Sequence, residues 1–563
     1  MAAGKLSSVE GSKSASFGLR GSLGEELASS AAQFSDAAYD LLKFHGVYEQ
    51  YDRDTATERK QAGLEKEWQC MARVRIPGGR LTAQQYLALD ELCAKRANGT
   101  LRITTRQAIQ FHGILKGDLR ELVGEIEAHL LTTMAACGDV ARNVMTTPAP
   151  IADKRHQILR DAADLLSVSL LPKTRAHHEI FVDGVKVPPT QAEPEPLYGK
   201  TYLPRKFKTA LGTVDDNSAD LYANDLALFA IFDGEELKGW NVAIGGGLGL
   251  THNRANTYAR LATLVCFVEP DDLLPIAEAV VRLHRDYGDR TDRKHARLKY
   301  VVDALGTPAC KAILEADLGK QLAAPVQMAP VQIPDHLGWH AQGDGKFWLG
   351  VPVPSGRIAD ADGVQLRSAL REIVTRFHVD PVLTPDQDVL LSNARAEDRF
   401  GIEAVLRAHK VKLAEERTRL DKLTLACPAF PTCGLALGEA ERVRDQLVAD
   451  IDAALERQGL AGEGMTVRIT GCPNGCARPY VGDVGIVGRT ANDYALFVGG
   501  DREGTRMNFR LIDRMPFTDI PATLERLFGE WRDRRDGKER FGDWCARAGV
   551  ETLLGYIAER QAA

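Results

Sequence analysis

The chain has few cysteines for its length, ten in 563 residues, and it has no long hydrophobic run. That density is too low for a secreted domain held together by disulfides. No apolar stretch approaches the roughly 18 residues of a membrane-spanning helix, so no membrane association is expected. The first 30 residues lack the apolar core of a secretory signal, and the sequence therefore predicts a cytoplasmic protein.

The chain also lacks an excess of positive charge, since 71 Lys and Arg face 77 Asp and Glu, a net charge of −6. A nucleic-acid partner is therefore not expected, although a local basic cavity is compatible with this balance. The content of 44% hydrophobic and 26% charged residues is ordinary for a folded protein and excludes a mostly disordered chain. At roughly 150 residues per domain, about three to four domains are expected.

Two distant stretches of the sequence resemble each other. Residues 76–81 read Ile-Pro-Gly-Gly-Arg-Leu, and residues 353–358 read Val-Pro-Ser-Gly-Arg-Ile. A helical pattern follows each stretch; the first helix is predicted to begin at Thr82, which can form a capping box with Gln85. Next, Thr-Thr-Arg-Gln at 104–107 is matched by Thr-Pro-Asp-Gln at 384–387. The pattern predicts a duplicated α+β module, with a chance match as the alternative.

Four cysteines lie in two motifs rich in proline and glycine, ACPAFPTCG and TGCPNGCAR. Five residues separate Cys427 from Cys433, and three separate Cys472 from Cys476. Turns of this composition let thiolates converge and let backbone N–H groups point at sulfur. The spacing favours an iron–sulfur cluster, most simply [4Fe–4S]. Structural zinc, which prefers closer cysteine pairs, and two disulfides are the alternatives.

A second group of residues is basic. From residue 102 to residue 112, polar side chains fall on even positions and apolar side chains on most odd positions, which places the polar ones on one face of an extended segment. These segments contain no acid, although the chain is acidic overall, and the pattern therefore predicts a polyanionic ligand. For any one residue a solvated surface is the alternative. The polar residues of this face are Arg102, Thr104, Arg106, Gln110 and His112, and further cations are Arg73, Arg142, Lys206 and Lys208.

The sequence resembles the sirohaem-dependent sulfite and nitrite reductases. Among them it resembles the haemoprotein (β) subunits of assimilatory sulfite reductases. The resemblance runs from about Leu41 to about Gly549. It is carried by the cysteine pattern and by LLKFHGVYEQYDRD, RVRIPGG, LRITTRQAIQFHGIL, ARNV, TYLPRKFKT, DRTDRKHARLKY and TGCPNGC.

The resemblance implies a function and a set of roles. Members of the family reduce sulfite to sulfide with six electrons, using a [4Fe–4S] cluster coupled to sirohaem, an iron macrocycle with eight carboxylates. By resemblance, the cluster ligands are Cys427, Cys433, Cys472 and Cys476, and the Cys476 sulfur also bridges to the sirohaem iron. The residues expected to contact sirohaem are Arg102, Thr104, Arg106, Gln110, His112 and Asn474. Those expected to bind sulfite are Arg73, Arg142, Lys206 and Lys208.

The implied fold is a three-domain α/β protein with an internal duplication around a pseudo-two-fold axis. Residues 1–40, rich in Ala, Ser and Gly, are predicted to be a flexible arm, and residues 41–71 an extended wrapping segment. The remaining boundaries are 72–140 and 345–420 for two ferredoxin-like repeat modules, 141–344 for a sirohaem- and substrate-binding module, and 421–563 for a cluster- and sirohaem-binding module.

Two other functions are compatible with the sequence: a sirohaem nitrite reductase of the same architecture, and a non-catalytic metal-site scaffold or electron-transfer protein. No flavin or NADPH module is visible, so the electrons must come from another chain. By resemblance that donor is a flavoprotein that oxidises NADPH, with ferredoxin as the alternative. The role implied is sulfate assimilation and cysteine biosynthesis.

Overall fold

The structure, a computed structural model, describes residues 5–174, 181–182, 185–186 and 195–562. The helices of these residues, numbered α1 to α17 in chain order, are Ser8–Ala15, Leu23–Ala28, Asp36–Leu42, Ala56–Gln61, Ala83–Arg96, Leu119–Ala128, Lys154–Ser169, Leu273–Tyr287, Leu298–Leu305, Thr307–Leu318, Leu366–Phe377, Arg399–Ala408, Arg419–Leu423, Arg444–Arg457, Ile520–Arg534, Phe541–Ala548 and Val550–Ala562.

The strands of the same residues are numbered β1 to β23. They are Val47–Tyr51, Trp68–Arg73, Leu101–Ile103, Ile109–Ile114, Ala141–Met145, Phe181–Val182, Val185–Lys186, Phe207–Gly212, Leu226–Asp233, Glu236–Ile244, Thr263–Val268, Gly338–Ala341, Phe347–Val351, Arg357–Ile358, Asp360–Ala361, Val364–Gln365, Asp380–Leu383, Val389–Ala394, Thr424–Ala426, Val467–Thr470, Val484–Gly488, Asp493–Val498 and Phe509–Pro516.

Four larger sheets organise the described chain. The two repeat modules form antiparallel sheets of order β1-β2-β4-β3-β14 and β12-β13-β18-β17. The other two sheets, β11-β10-β9-β8-β5 and β19-β20-β21-β22-β23, are mixed and include the parallel pairs that carry the site. One hydrophobic core joins the repeat modules to the β5–β11 sheet, and a second fills the module that follows residue 419.

The two copies of the repeat adopt the same backbone conformation. Within the 3₁₀ turns Pro77–Gly79 and Pro354–Gly356, Gly78 has φ 57° and ψ 12°, and Ser355 has φ 56° and ψ 12°. The residues after each turn pair with the other copy, as β14 does with β3. This reciprocal exchange confirms the predicted duplication around a pseudo-two-fold axis.

A glutamine in each copy joins the two modules. Gln107 donates from Nε2 to the carbonyl oxygen of Gly78 at 3.1 Å and to that of Leu383, in the other copy, at 3.2 Å. Gln387 makes the equivalent bonds at 3.1 Å within its own copy and at 3.4 Å across to the first. Since both side chains are buried, each satisfies carbonyl groups that would otherwise lack a partner.

The segment from residue 101 to residue 114 is a hairpin. Strands β3 and β4 flank a turn in which Thr104 N donates to Ala108 O at 2.9 Å. Arg102 is paired with Gln110, so the two side chains lie on the same face. The alternation read from the sequence therefore holds on both strands, although the segment reverses direction. The predicted start of α5 is also confirmed, because Thr82 and Gln85 form the capping box.

The N-terminal segment differs from the predicted flexible arm. Residues 5–40 contain helices α1 and α2 and most of α3, and Leu19 and Phe34 belong to the large core. Glu10 and Lys13 are only 2% and 1% exposed. Residues 41–71, expected to be extended, include strand β1 and helix α4. The composition was misleading because the hydrophobic residues that anchor this segment are few and widely spaced. A buried ion pair also produces no periodic pattern in the sequence.

Among the described residues, none of the helices combines the length and the apolar character that crossing a membrane requires.

An acid buried on α5 links the two repeat modules. Asp90, 0% exposed, accepts from Arg367 Nε of α11 at 2.7 Å and pairs with Arg371. We expect Asp90→Ala to lower the free energy of unfolding by about 3 kcal/mol, the lower end for a broken buried pair because Arg371 is half exposed. Denaturant unfolding measures the change. The matched control, Glu91→Ala on the exposed side of α5, should leave the midpoint unchanged; equal midpoints for both variants would contradict the assignment.

Candidate functional site

Two neighbouring parallel strands bring the cysteine motifs together. Strand β19 ends at Ala426, one residue before Cys427, and β20 ends at Thr470, two residues before Cys472. Because parallel strands end at the same edge of a sheet, the two motifs meet there. The backbone N–H of Gly471 donates to Cys427 Sγ at 3.3 Å, which ties one motif to the other.

Backbone N–H groups point at the sulfur atoms, as the turn composition predicts. Besides Gly471 at Cys427, the N–H groups of Leu435 and Ala436 face Cys433, and that of Asn474 faces Cys472. Such dipoles stabilise negative charge on sulfur. The local backbone is therefore suited to thiolates.

The four thiols repel one another when charged. Burial raises the pKa of Cys427 well above its ordinary value, and the charges of Cys476, Cys433 and Cys472 raise it further. Burial likewise raises the pKa of Cys472 to about 12. Four thiolates held here require a cationic partner, and iron ions supply one. In the described part of the chain, no three His, Cys, Asp or Glu side chains lie close enough to hold a single metal ion. Four cysteines at one edge of a sheet are the donor set that a [4Fe–4S] cluster uses.

Two arginines lie on strands of different modules. Arg73, at the end of β2, donates from Nη1 to Cys137 Sγ at 3.1 Å, and its buried Nε has no partner. Arg142, on β5, reaches the Gly138 carbonyl oxygen from Nε at 3.4 Å and from Nη2 at 3.3 Å. Neither guanidinium makes an ion pair with an acid in the described chain, so both can bind an anion.

Lys206 and Lys208 flank Phe207 at the start of β8. The Phe207 ring is fully buried, with its centroid 5.9 Å from that of His284, and the alternation of the strand turns the lysines to the other side. Burial lowers the pKa of both lysines well below the ordinary value. Nearby cations lower it further, Arg142 for Lys206 and Arg106 for Lys208. Positive charges therefore lie close together at this site and repel one another, because bulk water does not screen them.

The polar face of the hairpin holds buried groups without partners. His112 is 2% exposed, and neither ring nitrogen has a hydrogen-bond partner in the described chain. Gln110 reaches only Met71 Sδ, at 3.4 Å. Arg106 donates to Asn224 Oδ1 at 2.9 Å, while its Nε is unpartnered. Buried polar atoms are rarely left unpaired, so these residues fit a large anionic group such as sirohaem with its carboxylates.

The turn of the hairpin touches the cysteine loop. Thr105 Oγ1 donates to the carbonyl oxygen of Cys476 at 2.9 Å, and Thr104 Oγ1 accepts from Arg106 N at 3.2 Å. Asn474, two residues before Cys476, packs against Gly249, where a Cβ would lie 3.0 Å from the Asn474 carbonyl oxygen. The basic face and the cysteine motifs, predicted as two separate constellations, are therefore neighbours.

Arg102 has different surroundings from the other cations. It is 1% exposed, forms an ion pair with Glu441 and donates from Nη2 to Ala426 O at 2.9 Å. Burial alone would raise the pKa of Glu441, but Arg102 and Arg357 lower it to about 2. The basic segment itself contains no acid, but Arg102 is neutralised by one that lies 339 positions away in the sequence.

Several residues at the site were missed by the sequence analysis. Asp225 accepts from Lys208 N at 2.9 Å and from Arg297, at 3.1 Å from Nε and 2.8 Å from Nη2. Tyr48 lies beside Cys137 and Arg142, and burial raises its pKa. Tyr48 and Arg297 stand within the motifs that carried the resemblance, which is the signal that could have found them.

Comparisons with known proteins agree with this architecture. Residues 161–322 and 424–562 match the family described as "Nitrite and sulphite reductase 4Fe-4S domain". Residues 65–129 and 340–409 match the "Nitrite/Sulfite reductase ferredoxin-like half domain". The two half-domain matches overlap the two copies of the repeat.

Three relatives are similar over nearly the whole chain. "Sulfite reductase [ferredoxin]" of Synechococcus elongatus is 43% identical, covering 99% of this chain and 92% of its own. "Sulfite reductase [NADPH] hemoprotein beta-component" is 43% identical in Myxococcus xanthus, with 97% of both chains covered, and 44% identical in Methylobacterium nodulans, with 98% and 92% covered.

A solved structure of the Mycobacterium tuberculosis NirA protein shares the fold, with a TM-score of 0.78 and 23% identity over 97% of both chains. The family models cover more than half of this chain, and the relatives extend over nearly all of it. The chain therefore belongs to the nitrite and sulphite reductase family.

Proposed function

We propose that this protein is the haemoprotein of a sulfite reductase, which reduces sulfite to sulfide with six electrons in sulfate assimilation and cysteine biosynthesis. One observation carries the proposal: cations without acidic partners lie beside four mutually repelling thiols. Cys427, Cys433, Cys472 and Cys476 would hold the [4Fe–4S] cluster, and Cys476 would also contact sirohaem. The relatives named as sulfite reductases support this choice over nitrite reductase.

Sirohaem and the cluster would supply the electrons and the iron at which sulfite is reduced. The residues proposed to hold sirohaem are Arg102, Thr104, Arg106, Gln110, His112 and Asn474. Among them, His112 has the strongest support, because neither of its buried ring nitrogens has a partner in the described chain, and the buried Nε of Arg106 also lacks one. Arg102 is already paired with Glu441, so its part is to fix the hairpin face while its charge adds to the local potential.

The protein's own contribution at the substrate is electrostatic. Sulfite is an oxyanion that must approach thiolates and carboxylates, and Coulomb repulsion opposes that approach. Arg73, Arg142, Lys206 and Lys208 would reverse the local potential and bind the sulfite oxygens. The lowered pKa of each lysine also makes its ammonium group a better acid, so Lys206 and Lys208 would donate protons as oxygen leaves as water.

We propose an NADPH-oxidising flavoprotein as the electron donor and the cytoplasm as the location. The two relatives named as NADPH-type haemoprotein components support this donor, and the ferredoxin-type relative supports the alternative. Reconstitution with a purified flavoprotein subunit and NADPH, compared with reduced ferredoxin, distinguishes them. Faster sulfide production with ferredoxin would overturn the flavoprotein proposal.

The proposed activity is tested on purified, cofactor-loaded protein. Its absorption spectrum should show the Soret and red-shifted visible bands of sirohaem, and an artificial low-potential reductant should support sulfide formation from sulfite. A higher kcat/KM for nitrite than for sulfite would assign the protein to nitrite reduction. Absence of the sirohaem bands after cofactor supply would leave the scaffold alternative.

Lys208 is expected to favour sulfite over nitrite. Lys208→Asn removes one ammonium group from a partly desolvated site, which should cost about 2–4 kcal/mol in kcat/KM for sulfite. Nitrite, with less charge and fewer oxygens, should lose less. Steady-state kinetics with both substrates measure the difference at equal sirohaem content. Equal losses for the two anions would show that Lys208 does not set the preference.

Cys476 is expected to be essential for coupling the cofactors, whereas Cys93 is not. Cys476→Ser should abolish the joint spectroscopic response of cluster and sirohaem upon reduction. Cys93→Ser is the control. Cys93 lies on the buried face of α5, and its Sγ donates to Asp90 O at 3.1 Å, a bond that a hydroxyl can replace. Electron paramagnetic resonance of both variants provides the readout; loss of both cofactor signals in Cys93→Ser would contradict the distinction.

Anion binding is expected to be coupled to proton uptake by the site lysines. Burial and the neighbouring cations lower the pKa of Lys206 and Lys208, and a bound anion raises it again, so anion binding favours the protonated ammonium groups. Affinity should therefore fall as pH rises. Calorimetry of nitrite binding in buffers of different ionisation enthalpy measures the uptake. Lys208→Asn should reduce it, and zero uptake by the unaltered protein would refute the coupling.

A further inference from the structure

Four consecutive backbone carbonyls precede the site lysines, and a buried or half-buried cation contacts each of them. Arg290 approaches the oxygen of Thr201 at 3.5 Å and donates to that of Tyr202 at 2.7 Å. Lys13 Nζ donates to the Leu203 oxygen at 2.8 Å, and Arg293 reaches the next one, at residue 204, at 3.3 Å. A segment without regular secondary structure is thereby held at every peptide unit from 201 to 204.

Two carboxylates complete this cluster, which we call the carbonyl clamp: Glu10, Lys13, Asp139, Arg290 and Arg293. Glu10 pairs with Lys13 and accepts from Arg290 at 2.6 Å. Asp139 accepts from Arg293 at 2.6 and 2.9 Å and lies 3.6 Å from Lys13. Helix α1 thus supplies one cation and one anion of the clamp, and both are almost fully buried.

The clamp joins the two strands that carry the site cations. Asp139 lies three residues before Arg142, and its carbonyl oxygen accepts from Leu203 N at 3.0 Å. The following residue, Val140, accepts from Phe207 N at 3.1 Å. The start of β5, which bears Arg142, is therefore fixed against the start of β8, which follows Lys206 directly and bears Lys208.

An ionic clamp is a costly way to fill this space. Burial lowers the pKa of Lys13, and the neighbouring Asp139 and Glu10 only partly compensate. A buried ion pair stabilises a fold weakly compared with apolar packing, because both charges are desolvated. Apolar side chains could also close the gap beneath α1, but they could not donate to the carbonyls of 201–204. Donation to those carbonyls is therefore what the charged residues add.

We propose that Lys13, held by Glu10, is a positioning residue of the oxyanion site: helix α1 fixes segment 201–206 and thereby sets where Lys206 and Lys208 present their ammonium groups. This inference rests on the proposed role of the two lysines in binding sulfite. It assigns to the N-terminal helix an effect on substrate affinity, although α1 itself supplies no residue proposed to touch the substrate.

The test uses holoenzyme carrying Lys13→Met, the double variant Glu10→Gln/Lys13→Met, and Lys5→Met as an exposed control on the same segment. The double variant removes both charges of the pair and so keeps the net charge of the clamp, yet the bond to the Leu203 carbonyl is still lost. At equal sirohaem content, KM for sulfite should rise about tenfold in both variants, as misplaced binding groups predict, with kcat changed less than twofold. Lys5→Met should match the unaltered enzyme.

Hydrogen exchange separates positioning from stability. Peptides that cover 201–206 should exchange faster in the double variant, while those that cover 427–433 and 472–476 stay unchanged. Unaltered exchange at 201–206 together with an unaltered KM would overturn the proposal, whatever happens to the melting temperature. The two hypotheses fail separately: an unaltered protein that does not reduce sulfite refutes the proposed function, whereas the exchange pattern still reports on the clamp.

Discussion

Repulsion between like charges held out of water is the constraint on which this structure depends. Burial and nearby cations, Arg142 among them, lower the pKa of Arg106, Lys206 and Lys208. Burial and the charges of the other three cysteines raise the pKa of Cys427. The repulsion within each group is unfavourable, and each group is stabilised by a partner of opposite charge. Two surfaces with unbalanced charge therefore lie side by side. Anions balance the cationic surface, and iron balances the thiolates.

The fold supports this arrangement because the two copies of the repeat share a backbone conformation but differ in their charged residues. Both copies of the repeat retain the turn and the glutamine that crosses to the other copy. Their charges differ, since Arg106 of the first copy corresponds in the repeat to Asp386, which pairs with Arg478 at 2.7 Å. In the first copy the charge is left for a ligand, and in the second it is neutralised within the protein. The shared backbone makes both copies rigid, and the difference in charge determines which copy binds the ligand.

The sequence predicted what depends on neighbouring residues. The capping box at Thr82, the turns around the cysteines and the alternation about Phe207 all arise within a few positions, and the structure has them. The repeat could be found because its two copies kept the same turn. Which residues contact sirohaem and sulfite stays a prediction. The charge partners could not be predicted: Glu441 opposite Arg102, and Glu10 and Lys13 beneath segment 201–206, are brought together only by the finished fold.

The crossed pairing of the two repeats has a consequence for how the chain is made. Strand β3, near residue 100, is completed as part of its sheet by β14, near residue 357, and Gln107 bonds to the carbonyl of Leu383. During synthesis the first module must wait for these residues to leave the ribosome, so its exposed strand edge persists through more than 250 further residues of translation. The cysteine motifs emerge later still. The four-cysteine site therefore cannot be complete before residue 476 has been synthesised.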